Sequence, residues 1–438
     1  MSSENFKLPP AVKICVAQLN QNRFEAFLVG GCVRDYLLRQ EAKDIDVATD
    51  ASPAEVIRIF NEYKTIATGL KHGTVTVIIH ATPIEITTYR TGKEPMSNLA
   101  ADLAKRDFTI NALAYHEQTG VIDYHHGIED LKNGIIRCVG NPKDRFTEDG
   151  LRILRAMRFA SVLGFEIEAQ TQAAMFAQKN LLAHVAKERI AAELLRLLCG
   201  EKARQIITEY VDILGVFIPD LLAMKGFKQN NIHHVYDVLT HTAVAVSNLP
   251  PIPRLRLAGL LHDIGKPQTY HPDENGTGHF YGHQELSSRM AQKILRELKL
   301  DSFTIERVSI LIKYHDFSLD PKRKQIKRWL NKLSPEVFQE LLILKRADIL
   351  AQNPEFIDRL KVLQEIENLT QVILAEQSCF TLKNLNINGH DLIKLGVKPG
   401  KQVGVILNQL LEMVIDEQIE NDSDSLTQCV LNIKGIAE

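Results

Sequence analysis

Near the start of the chain, apolar and polar residues alternate over four short runs, Phe27–Val29, Asp44–Ala48, Thr74–Ile79 and Ile84–Tyr89. A period of two predicts strands with one face buried. Turns and helical stretches separate these runs, so the chain to about Val139 reads as a mixed α/β unit. From Asp144 the period changes. Apolar positions recur at three and four in stretches such as Leu151–Leu163 and Glu188–Leu198, which predicts amphipathic helices for nearly all of the remainder. Pro250, Pro251, Pro253 and the turn-rich stretch Pro267–Gly282 punctuate the helical body, and Gly389, Gly396, Pro399, Gly400 and Gly404 punctuate the tail. No internal repeat or low-complexity segment is visible. The predicted fold class is α+β: a small mixed-sheet head over residues 1–139, then an all-α neck (140–230), body (231–352) and tail (353–438).

Bulk properties narrow the picture only modestly. A chain of 438 residues is too long for one ordinary core, and 45% hydrophobic with 24% charged residues is a soluble, globular composition. No apolar run is long enough to span a bilayer, so no membrane partner is expected. The first residues have no basic-then-apolar signal character, and six cysteines are scattered without CxxC pairing. A reducing, cytoplasmic setting with free thiols is expected. The net charge of −2 gives no global attraction to a polyanion, so a nucleic acid would need local basic patches.

Candidate chemistry begins at Phe27-Leu-Val-Gly-Gly-Cys-Val-Arg-Asp35, where a strand ends on Gly30-Gly31 and a helix opens, with backbone N–H groups free to approach a phosphate. Nine residues later, Asp44-Ile-Asp46 places two carboxylates on one face of a strand while Ile45 and Val47 point into the core. Paired carboxylates suit Mg²⁺, and a pair of such ions could activate a 3′-hydroxyl and stabilise a departing pyrophosphate. The same alternation also fits the solvent face of an edge strand.

The neighbours decide between these readings. Val29-Gly-Gly-Cys-Val-Arg-Asp, Asp44-Ile-Asp, Arg106-Asp-Phe-Thr-Ile-Asn-Ala112 and Glu148-Asp-Gly-Leu-Arg-Ile-Leu-Arg-Ala-Met-Arg-Phe159 together resemble the class II tRNA nucleotidyltransferases and the related poly(A) polymerases. The match is in order and at compatible spacing to about Leu198, and weaker through Ile387-Asn-Gly-His-Asp-Leu392. The resemblance implies a polymerase-β-type head in which Asp44 and Asp46 are catalytic and hold Mg²⁺, with Glu85 as a third carboxylate. It implies nucleotide binding by Gly30, Gly31, Arg34, Arg106, Asp107 and Asn111, with Arg106 on the triphosphate and Asp107 on the ribose 2′-hydroxyl. Glu148, Asp149 and Arg152 serve in that family as a protein template. Three apart on a helix, Asp149 and Arg152 can address one base edge, the carboxylate taking the amine of cytosine or adenine. Arg155 and Arg158 continue the same turns, either as base or phosphate contacts or as a solvated charged face.

A second constellation lies between Tyr236 and Gln352: His241, His262-Asp263, His283, His315-Asp316 and Asp348. His262-Asp263 after the apolar run Leu255–Leu261 and before Ile264-Gly-Lys266 resembles the HD superfamily of metal-dependent phosphohydrolases. The resemblance implies that His241, His262, Asp263 and Asp348 hold one divalent ion, while His283 and His315 contact a second ion or the phosphate. Imidazoles with carboxylates suit a transition metal better than Mg²⁺. By the same resemblance the substrates are 2′,3′-cyclic phosphates or damaged RNA ends; a relic module is the other reading. Lys322, Arg323, Lys324, Lys327, Arg328, Lys345 and Arg346 form either a basic surface for tRNA backbone or an ordinary solvated face.

The expected function is therefore template-independent addition of nucleotides to the tRNA 3′ end, with tRNA and CTP as partners and, in the full-CCA alternative, ATP. In the class II enzymes that build all of CCA, a longer loop before Arg-Asp-Phe-Thr acts as a lever that switches the template from cytosine to adenine. Here only Thr91–Ala101 separates Arg90 from Asp102. A CC-adding enzyme served by a separate A-adding enzyme is expected, with full CCA addition as the alternative. The acidic end Glu420-Asn-Asp-Ser-Asp424 and the second module argue against a poly(A) polymerase. Intact Asp44 and Asp46 argue against an HD phosphohydrolase with a head that only binds tRNA.

Overall fold

The computed structural model describes residues 6–42, 44–67, 69–70, 73–89, 98–318 and 320–437. The chain forms two compact units, Met1–Phe217 and Ile218–Glu438. The division falls inside the segment assigned above to the neck. Head and most of the neck thus share the first unit.

Seven strands build the sheet of the first unit: β1 (Ala26–Val29), β2 (Ile45–Thr49), β3 (Lys64–Ile66), β4 (Thr74–Ile79), β5 (Thr82–Thr88), β6 (Leu113–His116) and β7 (Gly120–Asp123). Their order is β3-β4-β5-β2-β1-β6-β7. β2 and β5 run parallel, and the other neighbours are antiparallel, so the sheet is mixed. Alternation sorts the side chains as expected for a pleated strand. Leu28, Val47, Val75, Val77, Ile79, Ile84 and Ile86 face one core, covered by Val12, Cys15 and Leu19 of the helix Pro10–Gln21 and by Val56 and Phe60. Val29, Ala48 and Ala114 face a second cluster with Leu99, Leu103, Ala112 and Val139. Asp46 lies two residues before Ala48 and so shares this second face. The pattern missed β3, β6 and β7, which are short: Lys64–Ile66 has no buried residue, and β6 is buried at Leu113, Ala114 and Tyr115 without alternation.

In the neck, the helix Leu151–Leu163 ends on Gly164, whose φ of 72° provides the left-handed stop. It packs against the helix Lys187–Leu198 through Ile153, Leu154, Met157 and Ala160 on one side and Ile190, Leu194 and Leu197 on the other. The approach is closest at Gly200, where a Cβ would stand 2.5 Å from the Ser161 carbonyl oxygen.

The second unit is helical apart from a hairpin, His271–Pro272 with Gly278–His279, inside the stretch read from sequence as turn-rich. Its helices Val238–Asn248, Pro253–Leu261, His283–Glu297, Ser302–Tyr314 and Pro335–Leu350 form the body. Asp237 and Asp301 cap two of them by accepting from Thr240 and Thr304 backbone N–H groups. The tail helices Gly389–Lys394, Lys401–Ile415 and Ser423–Ala437 enclose a separate core around Leu392, Leu410, Val414 and Leu426. Among the described residues no helix is long and apolar enough to cross a membrane, and all six cysteines are free thiols.

Candidate active site and a second histidine cluster

Parallel pairing sets Asp46 directly opposite Glu85 in the β2–β5 register, so both carboxylates lie on one face of the sheet. Asp44 precedes β2 by one residue and is exposed. Beside them, Gly30 at the end of β1 has φ 78°, a backbone region that favours glycine. A Cβ there would stand 2.6 Å from Arg106 Nη1 and 3.5 Å from Asp46 Oδ2. Glycine thus lets the Arg106 guanidinium and the Asp46 carboxylate meet over one backbone turn. Asp102 holds Arg106 through Nε at 3.2 Å and Nη2 at 3.1 Å. The N–H of Gly30 donates to Leu113 O at 3.0 Å and so is not free for a phosphate. That corrects the expectation at Gly30; the amides that follow, in the first turn of the helix Gly31–Leu37, lack intrahelical acceptors.

Three expected nucleotide contacts prove to be links in a buried chain. Arg34 clasps Asp35 and donates to Asn111 Oδ1 at 2.7 Å, and Asn111 Nδ2 donates to Asp107 Oδ1 at 3.0 Å. Asp107 Oδ1 also accepts the Phe108 N–H, and its Oδ2 accepts Arg155 Nε at 2.8 Å and Nη2 at 2.6 Å. Burial alone would raise the Asp107 pKa, but Arg155 and the Asn111 and Phe108 donors outweigh it and hold the carboxyl at about 2. All four acceptor positions are filled, so a ribose hydroxyl reaches Asp107 only by displacing one of these donors. Arg155 and Arg158 do not form a solvated face. Arg158 turns inward, pairing with Glu193 and lying 3.7 Å from the centre of the Phe159 ring.

Glu148 is exposed, and Arg152 beside it is largely covered. Arg152 Nη1 meets Glu148 Oε2 at 2.9 Å and Arg145 O at 3.1 Å, and its Nη2 meets Lys105 O at 3.1 Å. Asp149 lies between the two neck helices Pro142–Glu148 and Leu151–Leu163 in extended backbone, φ −150°, and its Oδ1 accepts the Leu151 N–H. The Asp149 carboxylate and the Arg152 guanidinium are therefore each fixed by several hydrogen bonds. Sequence reasoning missed Glu193 and Arg145. Glu193 carried a signal, since it is an acidic residue among Ile190, Leu194 and Leu197 on the buried side of its helix.

The tightest potential ligand groups among the described residues are in the second unit: His241 with His262 and Asp348, and His262 with Asp263 and His315. His241 Nε2 stands 3.0 Å from Asp348 Oδ1, His262 Nε2 3.2 Å from Asp263 Oδ2, and His283 Nε2 3.3 Å from His315 Nε2. Asp263 turns Oδ2 to the first histidine pair and Oδ1 to the second, at 3.5 and 3.6 Å. Each imidazole meets a backbone carbonyl through Nδ1: Ala351 for His241, Gly259 for His262, Phe280 for His283 and Ile312 for His315. A carbonyl can only accept, so Nδ1 carries the proton and four Nε2 atoms converge as ligands. Lys266 Nζ also reaches Asp263 Oδ2 at 2.7 Å and Gln229 Oε1 at 2.8 Å. Burial alone would lower the His262 pKa, but Asp263 and Asp348 raise it to about 10, so a metal at Nε2 would have to displace a proton.

The basic strip, read from sequence as either a tRNA-carrying surface or an ordinary solvated face, is largely spent on internal pairs. Arg323 pairs with Glu376, Lys324 and Arg328 with Asp416, Lys327 with Glu417, and Arg346 with Glu367. Lys345 is partly buried over the Phe317 ring.

Known proteins match this arrangement along the whole chain. Residues 26–137 match the Poly A polymerase head domain, residues 164–223 the RNA and SrmB-binding site of polymerase A, and residues 280–430 the tRNA nucleotidyltransferase domain 2. The CCA-adding enzyme of Lactobacillus helveticus is 33% identical over 423 residues, covering 92% of each chain. The chain belongs to the CCA-adding enzyme family of tRNA nucleotidyltransferases. Among solved structures of CCA-adding enzymes, that of Bacillus stearothermophilus in complex with CTP is 28% identical with a TM-score of 0.73, covering 98% of this chain and 99% of that one. The Thermotoga maritima CCA-adding enzyme complexed with tRNA shares the fold at 21% identity and a TM-score of 0.60.

Proposed function

We propose that the chain transfers cytidylate from CTP to the 3′ end of tRNA without a nucleic-acid template, releases pyrophosphate, and stops after CC. The transfer rests on one observation: the Asp46–Glu85 carboxylate row and the Gly30–Arg106 turn occupy the same compact unit as the Asp149–Arg152 pair. The CCA-adding activity of the relatives, and the CTP bound by the Bacillus enzyme, favour the same substrate.

The donor set Asp44, Asp46 and Glu85 is all oxygen and fits Mg²⁺, which would supply activation of the attacking 3′-hydroxyl and charge neutralisation on the phosphates. The protein's own groups do the rest. Arg106 grips phosphate oxygens, Asp149 accepts the base amine, and Arg152 donates to the acceptor atom beside it.

The stop at CC rests on the short connection between β5, which ends at Thr88, and the helix that opens at Leu99. The segment Thr91–Ala101 lies mostly outside the described residues, which exclude 90–97. A rigid carboxylate and guanidinium cannot fit two base shapes equally well, so a change of base needs an element with two positions. Full CCA addition is the second reading, favoured by the Lactobacillus relative, a CCA-adding enzyme. CTP and ATP supplied together to tRNA lacking CCA, with the products sequenced, separate the two. Ends at CC under excess ATP support the proposal, ends at CCA support the second reading, and no incorporation removes both.

For the second unit we propose hydrolysis of 2′,3′-cyclic phosphates or damaged RNA ends. Four Nε2 atoms with locked Nδ1 partners, and a buried Asp263 whose two oxygens face two histidine pairs, suit a divalent transition metal. His241, His262, Asp263 and Asp348 would hold it, with His283 and His315 available to a second ion or to phosphate. Bound there, the metal would lower the pKa of a water used as nucleophile.

A further inference from the structure

The base-reading pair has a partner on the adjacent helix. Arg189 lies in the first turn of Lys187–Leu198, where a positive charge opposes the helix dipole. Helix stability therefore gives no reason for an arginine there. Its Nη2 stands 2.8 Å from Asp149 Oδ2 and its Nη1 3.4 Å from Oδ1, a two-pronged hold on the carboxylate. Oδ1 also accepts the Leu151 N–H at 3.1 Å.

A carboxylate offers about four lone-pair positions. Leu151 and one prong of Arg189 occupy Oδ1, and the other prong takes one position on Oδ2. One acceptor position on Oδ2 is left over. We propose, building on the reading of Asp149 and Arg152 as the base-edge pair, that Arg189 is a positioning residue for base selection. It fixes the Asp149 rotamer so that the remaining lone pair meets the exocyclic amine of cytosine or adenine. A uracil or guanine carbonyl brought to the same place meets a lone pair that cannot turn away. The chemistry is reciprocal. Glu148 steadies the guanidinium of Arg152 at 2.9 Å, and Arg189 steadies the carboxylate of Asp149. Arg189 is 53% exposed, so no core packing depends on it.

Glu193 follows Arg189 by four residues and so shares its side of the helix. There it pairs with Arg155 and Arg158. One helix thus steadies both the base reader and the guanidinium that closes Asp107.

The test is single-nucleotide incorporation into tRNA lacking CCA, with CTP and with UTP, by Arg189→Ala, Arg189→Lys, Asp149→Ala and the Arg189→Ala/Asp149→Ala double variant. Arg189→Ala is expected to lose roughly tenfold of the CTP preference over UTP, mainly through a higher KM for CTP. Arg189→Lys, a point charge without the fork, is expected to recover only part of it. In the Asp149→Ala background, Arg189→Ala is expected to cost no further selectivity. Wild-type selectivity in Arg189→Ala, with selectivity lost in Asp149→Ala, overturns the inference and leaves the base-edge reading standing. Wild-type selectivity in both overturns that reading as well. Equal and additive losses with both nucleotides also overturn the inference, making Arg189 a contact to triphosphate or tRNA in its own right.

Discussion

Individual side chains here divide into those that meet the reactants and those that hold them. On the proposed reading Asp46 belongs to the first kind. Its removal in Asp46→Ala takes a ligand from Mg²⁺ without touching the core, and is expected to cost on the order of a thousandfold in incorporation rate. tRNA retention in a filter or gel assay should be unchanged; near-normal incorporation would remove the carboxylate assignment. Arg155 belongs to the second kind. Arg155→Ala leaves the Asp107 charge buried without its main counter-charge and is expected to cost about 2 kcal/mol in denaturant unfolding at neutral pH. The pH dependence has a definite sign. The Asp107 pKa is depressed from 3.8 to about 2 in the folded chain, so its contribution is present above 3.8 and is lost as pH falls toward 2. That part of the acid limb should be missing in Arg155→Ala, and an unchanged limb would contradict it. The sequence motifs showed which residues gather around the nucleotide, but not which way they face. Asp107 carries the right chemistry for a ligand, yet two of its acceptor positions are taken by Arg155, 48 residues further along the chain, and Arg158 is turned toward Glu193, 35 residues on.

At the level of elements, hydrophobic period was a reliable guide wherever an element had one dry and one wet side. The helix Leu151–Leu163 was legible to the residue, because its buried stripe is continuous and Gly164 stops it. Edge strands such as Lys64–Ile66 have no dry side and left no period to read. Close approaches were equally hidden, since a glycine in sequence does not say what it touches. Gly200 lets the two neck helices meet, and a Cβ there would sit 2.3 Å from Ser161 Oγ as well as against the Ser161 carbonyl. Because backbone cannot yield as a flexible side chain would, Gly200→Ala is expected to cost roughly 1–3 kcal/mol. It should also loosen base selection, because the helix it displaces carries Arg189. Thermal unfolding and the CTP-to-UTP ratio, measured on one preparation, check both parts, and a variant as stable and as selective as the parent would refute the account.

Across the whole molecule, the two candidate sites lie in separate compact units and draw on separate ligand sets. They should therefore fail independently. His262→Ala is expected to abolish any chelator-sensitive hydrolysis of 2′,3′-cyclic nucleotides while nucleotide addition survives. The parent protein failing to hydrolyse with Mn²⁺, Ni²⁺, Co²⁺ or Mg²⁺ would favour a relic module. The histidine spacing made this second cluster visible in sequence, whereas the ion pairs that neutralise the basic strip were not, because Glu376, Asp416 and Glu417 come from the tail. The register of Asp46 against Glu85 has a bearing on how activity is acquired. These residues come from β2 and from β5, which follows β3 and β4 in sequence, and their strands pair in parallel. Non-local parallel contacts form slowly during folding, and a slip of one residue would turn one carboxylate to the opposite face. Catalytic competence should then arrive late, after helix content has recovered, so that the first burst of cytidylate incorporation during refolding serves as a clock for the closing of the central strand pair.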